Sequence, residues 1–391
     1  MTDPLALRDV LRALDELFPP ESAQSWDAVG LVAGDPAQPV RRVLFAVDPV
    51  AAVVSEAEEW GADLLVTHHP LLLRPVHSVA ATSFKGALVH RLVRNGTALH
   101  VAHTNADAAA GGVADALAEL IGLEDLRPLE AATAAALDKH VVFVPLEQRD
   151  SVIDAMAGAG AGALGDYERC AWTTTGTGTF TPQPGADPAI GTVGERAEVA
   201  EARIEMVAPA RLRSAVVAAM RSAHPYEEPA FDVLELARQD DTTGIGRLGT
   251  VRGTSTLAEL AKHVAAVLPR TAHGVRVAGD LDAVVRTVAV VGGAGDSLFD
   301  AVRASGADVY VTADLRHHPA SEARERALFE GGGPALVDVS HFASEWPWLE
   351  RVASAVRSAV VGLGATVETR VSTLCTDPWT VRLDPPEGTA T

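Results

Sequence analysis

Leu7, Val10, Leu11, Leu14 and Phe18 recur at helical spacing near the start of the chain, so the pattern predicts an amphipathic helix, with Asp3 and Pro4 suited to its first turn. From residue 42 onward the rhythm changes. Short apolar runs bounded by turn residues alternate with helical stretches, the signature of βαβ units around a parallel or mixed sheet. Strands are predicted over 42–47, 63–67 and 98–103, and helices over 50–60, 84–94 and 111–123.

The same pattern returns in the second half of the chain. Stretches 43–61 and 288–306 are equal in length, and each runs on through Gly-Ala-Asp, two further residues and Val-Thr: GADLLVTHHP from Gly61, GADVYVTADLRHHP from Gly306. Further on, with a seven-residue difference in spacing, ALHVAHTNAD meets ALVDVSHFASE, a register that sets His103 opposite His341 and Asp107 opposite Glu345. The chain therefore reads as a duplicated α/β module.

Between the copies, strand, helix, hairpin arm, strand, helix and strand are predicted over 140–145, 150–159, 170–180, 203–207, 210–223 and 231–236, with 185–194 an exposed loop. Two such units in series predict an inserted ferredoxin-like α+β domain. The expected division is a first α/β half over 1–136, the insert over 137–238 and a second α/β half over 239–391.

Composition narrows the chemistry. The 391 residues are 48% hydrophobic, and Asp plus Glu outnumber Lys plus Arg by 52 to 32, a formal charge of -20 that opposes binding to a nucleic-acid backbone. Cys170 and Cys375 lie far apart and form no CxxC pair, so neither a disulfide framework nor a thiolate zinc site is indicated. The opening MTDPLALRDV does not read as a secretion signal, and no apolar run reaches the roughly 20 residues of a membrane span, which makes the cytoplasm the expected location.

Site chemistry then falls to histidine and carboxylate. His68 and His69 follow an apolar strand and precede Pro70, which ends the ladder; at a strand terminus both imidazoles can turn to one site, and strand carboxyl ends are where open α/β sheets bind ligands. Asp107 sits past another strand end, and His341 and Glu345, four apart, share a helix face after a third. Singly these read as loop histidines, a helix cap, a core histidine and a surface charge. Together they are expected to lie at strand ends of one sheet, drawn from both copies. Nitrogen and oxygen donors without thiolate suit zinc, iron or manganese, and five of them exceed one tetrahedral ion, so two divalent ions per subunit are expected, Glu345 bridging them. Where the first copy has His68 and His69 the second has Ala313 and Asp314, so the site is asymmetric. His103, Asp314, Arg316, His317 and His318 are placed as candidates to line the same cleft.

WDAVGL, THHP, HTNAD and HFASE, in this order, resemble the signatures of the Nif-three-like dinuclear metal centre family, also known as GTP cyclohydrolase I type 2 homologs, over most of the chain. The middle segment, with GTGTFTP and HPYEEPAFDV, resembles the CutA-like insert of longer bacterial members. The resemblance implies the same five ligands, a toroidal homohexamer with metal sites facing an inner cavity, and a nucleotide substrate, GTP. Ala28 stands where the family commonly has Asn. HPYEEP, with His224, Glu227 and Glu228, reads better as an exposed turn than as a second metal site.

Two classes of function follow. One is a metal-dependent hydrolase in which water adds to the imidazole carbon of guanine, the ring opens and formate leaves; a dinuclear phosphoesterase would use the same ligands. The other is a non-catalytic metal-binding scaffold whose insert senses a small ligand or a partner. The chain has no GxxxxGK[ST] loop, so a triphosphate would rest on metal, histidine and an arginine such as Arg316.

Overall fold

In the computed structural model of the chain, which describes residues 5–132, 136–237 and 242–383, the aspartates of the two Gly-Ala-Asp segments do identical work. Asp63 Oδ2 accepts hydrogen bonds from the backbone N–H of Arg41 and Arg42 at 2.7 and 2.9 Å; Asp308 Oδ2 accepts them from Arg286 and Thr287 at 2.8 and 2.9 Å. Each clamps the start of one strand to the start of the next. Gly61 and Gly306 end the preceding helices at φ 72° and 73°, left-handed positions that favour glycine. The sequence repeat is thus a repeat of backbone geometry.

One sheet has the order Glu368–Val371, Arg42–Ala46, Leu64–Thr67, Ala98–Val101 and Gly30–Ala33, all parallel but the last. The other runs Arg276–Ala278, Ala335–Val339, Val309–Ala313, Val284–Ala294, Gly244–Thr256 and Leu123–Ala131, with three parallel strands at its centre and antiparallel strands outside them. The central strands are continuous Val, Leu and Ala runs because both faces are covered.

The modules exchange elements. Leu123–Ala131, from the first copy, is an edge of the second sheet, and Glu368–Val371, from the chain's end, is an edge of the first. Helix Trp348–Gly362 buries Trp348, Val352 and Val356 against Val43, Phe45 and Leu64 of the first sheet. Helix Val113–Leu120 sends Leu117 to the core of the second. The five candidate ligands therefore come from two sheets, not the one expected, and boundaries at 136 and 239 do not separate the sheets.

The first helix begins at Leu7 rather than at Asp3 and Pro4, which lie outside the described residues, because Leu5 and Ala6 pair with Val40 and Pro39. Leu7, Val10, Leu14 and Phe18 are buried as its periodicity requires. The helix expected over 111–123 stops at Leu120, and Leu123–Ala131 is a strand that its mixed sequence, LEDLRPLEA, does not announce. No helix among the described residues is long and apolar enough to cross a membrane.

The chain divides into two compact units, Met1–Ala132 with Thr242–Thr391, and Thr133–Asp241. The second has its own four-stranded antiparallel sheet ordered Phe231–Glu235, Leu137–Pro145, Ala197–Pro209, Trp172–Phe180. With helices Arg149–Gly158 and Arg213–Ala223 this is a βαββαβ unit with strand order fourth, first, third, second, which is ferredoxin-like topology. Val144, Ile204, Met156, Val216 and Met220 form its core.

Candidate metal centre

Strand Leu64–Thr67 ends at Thr67, whose hydroxyl donates to the His69 carbonyl at 2.9 Å and holds the turn that delivers both imidazoles. His68 is fully buried and its Nδ1 donates to the Ala102 carbonyl at 3.0 Å. His69 Nδ1 meets Asp48 Oδ1 at 2.7 Å, His103 Nδ1 meets Asp27 Oδ1 at 2.8 Å, and His341 Nδ1 meets Asp314 Oδ2 at 2.6 Å. Anchoring Nδ1 in this way orients each ring and directs Nε2 to the centre, the standard outer support of a metal-ligating histidine.

The Nε2 atoms converge. Those of His69 and His341 stand 3.2 Å apart. Glu345 Oε1 lies 3.0 Å from His341 Nε2 and 3.4 Å from His68 Nε2, and its Oε2 lies 3.1 Å from His69 Nε2. Asp107 Oδ1 is 3.8 Å from His68 Nε2. Two overlapping donor groups result, His68 with His69 and His103, and His69 with His341 and Glu345, His69 being common to both. Buried His68 Nε2 and Glu345 Oε2 have no hydrogen-bond partner among the described residues.

This donor set fits a cation. Imidazoles bound at about 2.0–2.1 Å to one tetrahedral ion have nitrogens roughly 3.3 Å apart, near the His69 to His341 separation. Gly293, at φ 69°, presses its backbone against the same space. A Cβ there would sit 2.6 Å from Glu345 Oε1 and 3.2 Å from His341 Nε2. The Gly293 N–H donates to Ser344 Oγ at 2.9 Å, which fixes the helix carrying both candidate ligands.

Electrostatics agree. Burial would raise the Glu345 carboxyl, but His69, His68 and His341 hold it well below the usual carboxylate range. Burial opposes charge on His341, yet Glu345 and the Asp314 hydrogen bond push it up to about 10, and Glu345 and Asp48 likewise raise His69 against its burial. Asp107 is pushed up to about 6 by burial, opposed by His68. Burial lowers His103, and Asp27 stays low through its hydrogen bonds to His103 and Thr104. Among these groups negative charge is favoured on Glu345 and positive charge on His69 and His341, so the buried carboxylate already draws cationic charge to this point.

Of the residues singled out in the sequence, His68, His69, Asp107, His341 and Glu345 are brought together, and His103 stands beside them as a donor rather than at the cleft's edge. Asp314 holds His341 from a left-handed conformation, φ 55°, rare for a non-glycine residue. Arg316 turns to Asp296 instead, and His317 and His318 are exposed at the start of helix His317–Glu330. A cavity of about 270 Å³ beside the centre is lined by Asp48, Asp314, Asp377, His273, Thr376 and Trp379 as well as by His69 and His341; Arg316 and His318 are not among its walls.

Asp48, Asp27, Gly293 and Ser344 were missed as supports. Asp27 stood in the quoted WDAVGL; its Oδ1 also accepts the Ala28 N–H at 2.7 Å, so position 28 contributes backbone rather than side chain. Asp48 follows a strand end as Asp107 does, but nothing local distinguishes it. The repeat register also shifts. Strand pairing matches Leu64 with Ala98 and Val309 with Ala335, which puts His103 opposite Ser340, both preceding short helices, and Asp107 opposite Ser344. Aligning histidine on histidine had cost one residue of register.

Fold and site together define a two-module α/β protein with a histidine and carboxylate centre suited to a divalent cation. The chain belongs to the Duf34/NIF3 (NGG1p interacting factor 3) family, whose model matches residues 5–378. It is 51% identical over 374 residues to a Mycobacterium tuberculosis protein named GTP cyclohydrolase 1 type 2 homolog, covering 95% of this chain and 96% of that one. The structure of a Bacillus cereus protein related to NIF3 matches with TM-score 0.71 at 36% identity, over 97% of this chain and all of the other. A Staphylococcus aureus structure matches with TM-score 0.79 at 28% identity, over 98% of this chain and all of the other.

Proposed function

We propose that the chain is a dinuclear metal-dependent hydrolase acting on a nucleotide, with ring opening of GTP and release of formate the reaction suggested by its relatives' name. The observation that carries the reading is Glu345, whose Oε1 lies beside His68 and His341 and whose Oε2 lies beside His69. A carboxylate with two oxygens amid two overlapping donor groups suits two neighbouring ions better than one, while His69 Nε2 would serve only one of them. Zinc, iron or manganese ions held there would supply Lewis acidity and a nucleophile at neutral pH. His68, His69, Asp107, His341 and Glu345 would be the ligands, with His103 a sixth donor. Asp48, Asp27 and Asp314 orient the imidazoles, and Trp379 offers the cleft a flat apolar wall. The same reading includes assembly as a toroidal homohexamer in the cytoplasm.

One observation favours a second reading. Among the described residues the cleft is lined by Asp48, Asp314 and Asp377 and by no lysine or arginine, which disfavours a triphosphate held by side chains alone. A phosphoesterase acting on a less charged substrate, or a scaffold that holds metal without turnover, accommodates that better.

The decisive experiment incubates protein loaded separately with zinc, iron or manganese with GTP and a panel of nucleotides, assaying formate and phosphate. Formate from GTP, absent in Glu345→Gln and His68→Ala, supports the cyclohydrolase. Phosphate without formate assigns a phosphoesterase. Neither product from any nucleotide, with metal present, gives the scaffold.

A further inference from the structure

The two motifs of the insert that the metal centre leaves unused, GTGTFTP and HPYEEP, meet at one cavity. Helices cover the face of the insert's sheet that carries Ala202 and Ile204. The opposite face, which carries Glu201 and Arg203, has a cavity of about 650 Å³ within the size range of small-molecule sites. Its floor is the strand Trp172–Phe180, where Gly176 and Gly178 bare the backbone. Its apolar walls are Phe143, Phe180, Pro182 and Ile190, and the backbone N–H of Asp187 donates to Glu227 Oε2 at 3.1 Å, tying the loop of one motif to the turn of the other.

Glu201 is the polar group that gives this cavity a sign. It is only 9% exposed, and its side chain lies across Gly178, where a Cβ would come within 2.1 Å of Oε2. The Tyr226 hydroxyl donates to Oε1 at 3.0 Å, while Oε2 has no hydrogen bond from the described residues. That oxygen is left to accept from a donor in the cavity, and a cationic N–H would make a charge-assisted hydrogen bond with it. Glu227 and Glu228 also line the cavity, Glu228 being paired with Arg221 at 3.0 Å. The one cation among the described lining residues is Arg203, whose Nε is committed to Glu205 at 2.9 Å and whose guanidinium lies 5.6 Å from the Phe143 ring centroid. Tyr226 packs edge-on to Phe180 at 5.5 Å, so aromatic faces stand beside the carboxylate. With Glu228 answered by Arg221 and Arg203 by Glu205, Glu201 and Glu227 leave the lining negative, which disfavours an anion and favours a cation, and aromatic and proline walls favour a body that is apolar.

We propose that this cavity is a binding site for a small organic cation, an amine or amidinium on a flat apolar body, with Glu201 Oε2 accepting its N–H donors. The site lies wholly within the insert and owes nothing to the metal centre, so it stands or falls separately from the hydrolase reading.

Titration calorimetry on the full-length chain tests it with benzamidine, its neutral isostere benzamide, and benzoate. Benzamidine is expected to bind saturably, one per chain, with benzamide and benzoate at least tenfold weaker. Glu201→Gln should weaken benzamidine at least tenfold with the thermal transition unchanged. Ala189→Trp, which fills the cavity from its exposed loop without touching Glu201, should abolish binding and serves if the glutamine variant does not fold. The proposal is overturned if benzamidine shows no saturable binding, if benzamide or benzoate binds as well, or if both folded variants bind unchanged. A change in oligomeric mass for Ala189→Trp without cation binding in the wild type would assign the cavity to a second copy of the chain and overturn it equally.

Discussion

Arg247 and Asp115 form a bidentate pair inside the fold, Nε to Oδ1 at 2.8 Å and Nη2 to Oδ2 at 2.7 Å, joining a strand of the second copy to a helix of the first. The guanidinium is 2% exposed, and its remaining donors are satisfied by the carbonyls of Gly244, Gly246 and Ala109 at 2.7 to 2.8 Å. Asp115 also accepts the Gly111 N–H at 2.8 Å, close to the turn that leads into its helix.

Removing one partner would strand a buried charge. Asp115→Ala is expected to destabilise the chain by about 3 to 5 kcal/mol, read from urea midpoints. A loss below about 1 kcal/mol, the worth of a surface pair, would show that the pair does not tie the copies together.

Gly293 marks the room left for a cation. Gly293→Ala should lower the metal content of purified protein by at least one ion per chain, because the new Cβ would stand 2.6 Å from Glu345 Oε1. The cost in stability, from holding alanine at φ 69°, should be only about 1 to 2 kcal/mol. Elemental analysis beside a thermal melt separates the two effects, and unchanged metal content would refute the placement.

In the metal-free protein Glu345 favours the protonated form of His69 and His341. With His341 pushed up to about 10 and His69 raised as well, zinc added at pH 7.5 to weakly buffered apoprotein must displace at least one proton per chain, since ligating imidazoles are neutral. Affinity should accordingly rise with pH toward 10. An indicator dye reads the release; none at saturating zinc would count against these ligands.

His100 predicts the acid limb of stability. Burial lowers it from 6.5 to about 4, and its Nδ1 has no partner among the described residues. Because the unfolded chain binds this proton first, the contribution is fully present above about pH 6.5 and is lost as pH falls toward 4, about 3 kcal/mol in all. Comparing urea midpoints at pH 7 and 4.5, His100→Leu should lose less stability on acidification than wild type. Equal losses would place the acid sensitivity elsewhere.

The repeat of Gly-Ala-Asp was legible in the sequence because it is written in local rules: a left-handed glycine ends a helix, an aspartate clamps two strand starts, and apolar runs fill the strands between. The ferredoxin-like order of the insert was legible for the same reason, each element carrying its own period. His68, His69, Asp107, His341 and Glu345 were singled out because strand ends and helix spacing are sequence properties, and the fold brings them together. Tertiary structure alone decided that they come from two sheets, since the exchange of Leu123–Ala131 and Glu368–Val371 depends on which edge offers unpaired backbone. It also decided the supports. Asp48 lies 21 residues from His69, Asp27 lies 76 from His103 and Asp314 lies 27 from His341, and no local period links a carboxylate to the imidazole that the fold brings against it.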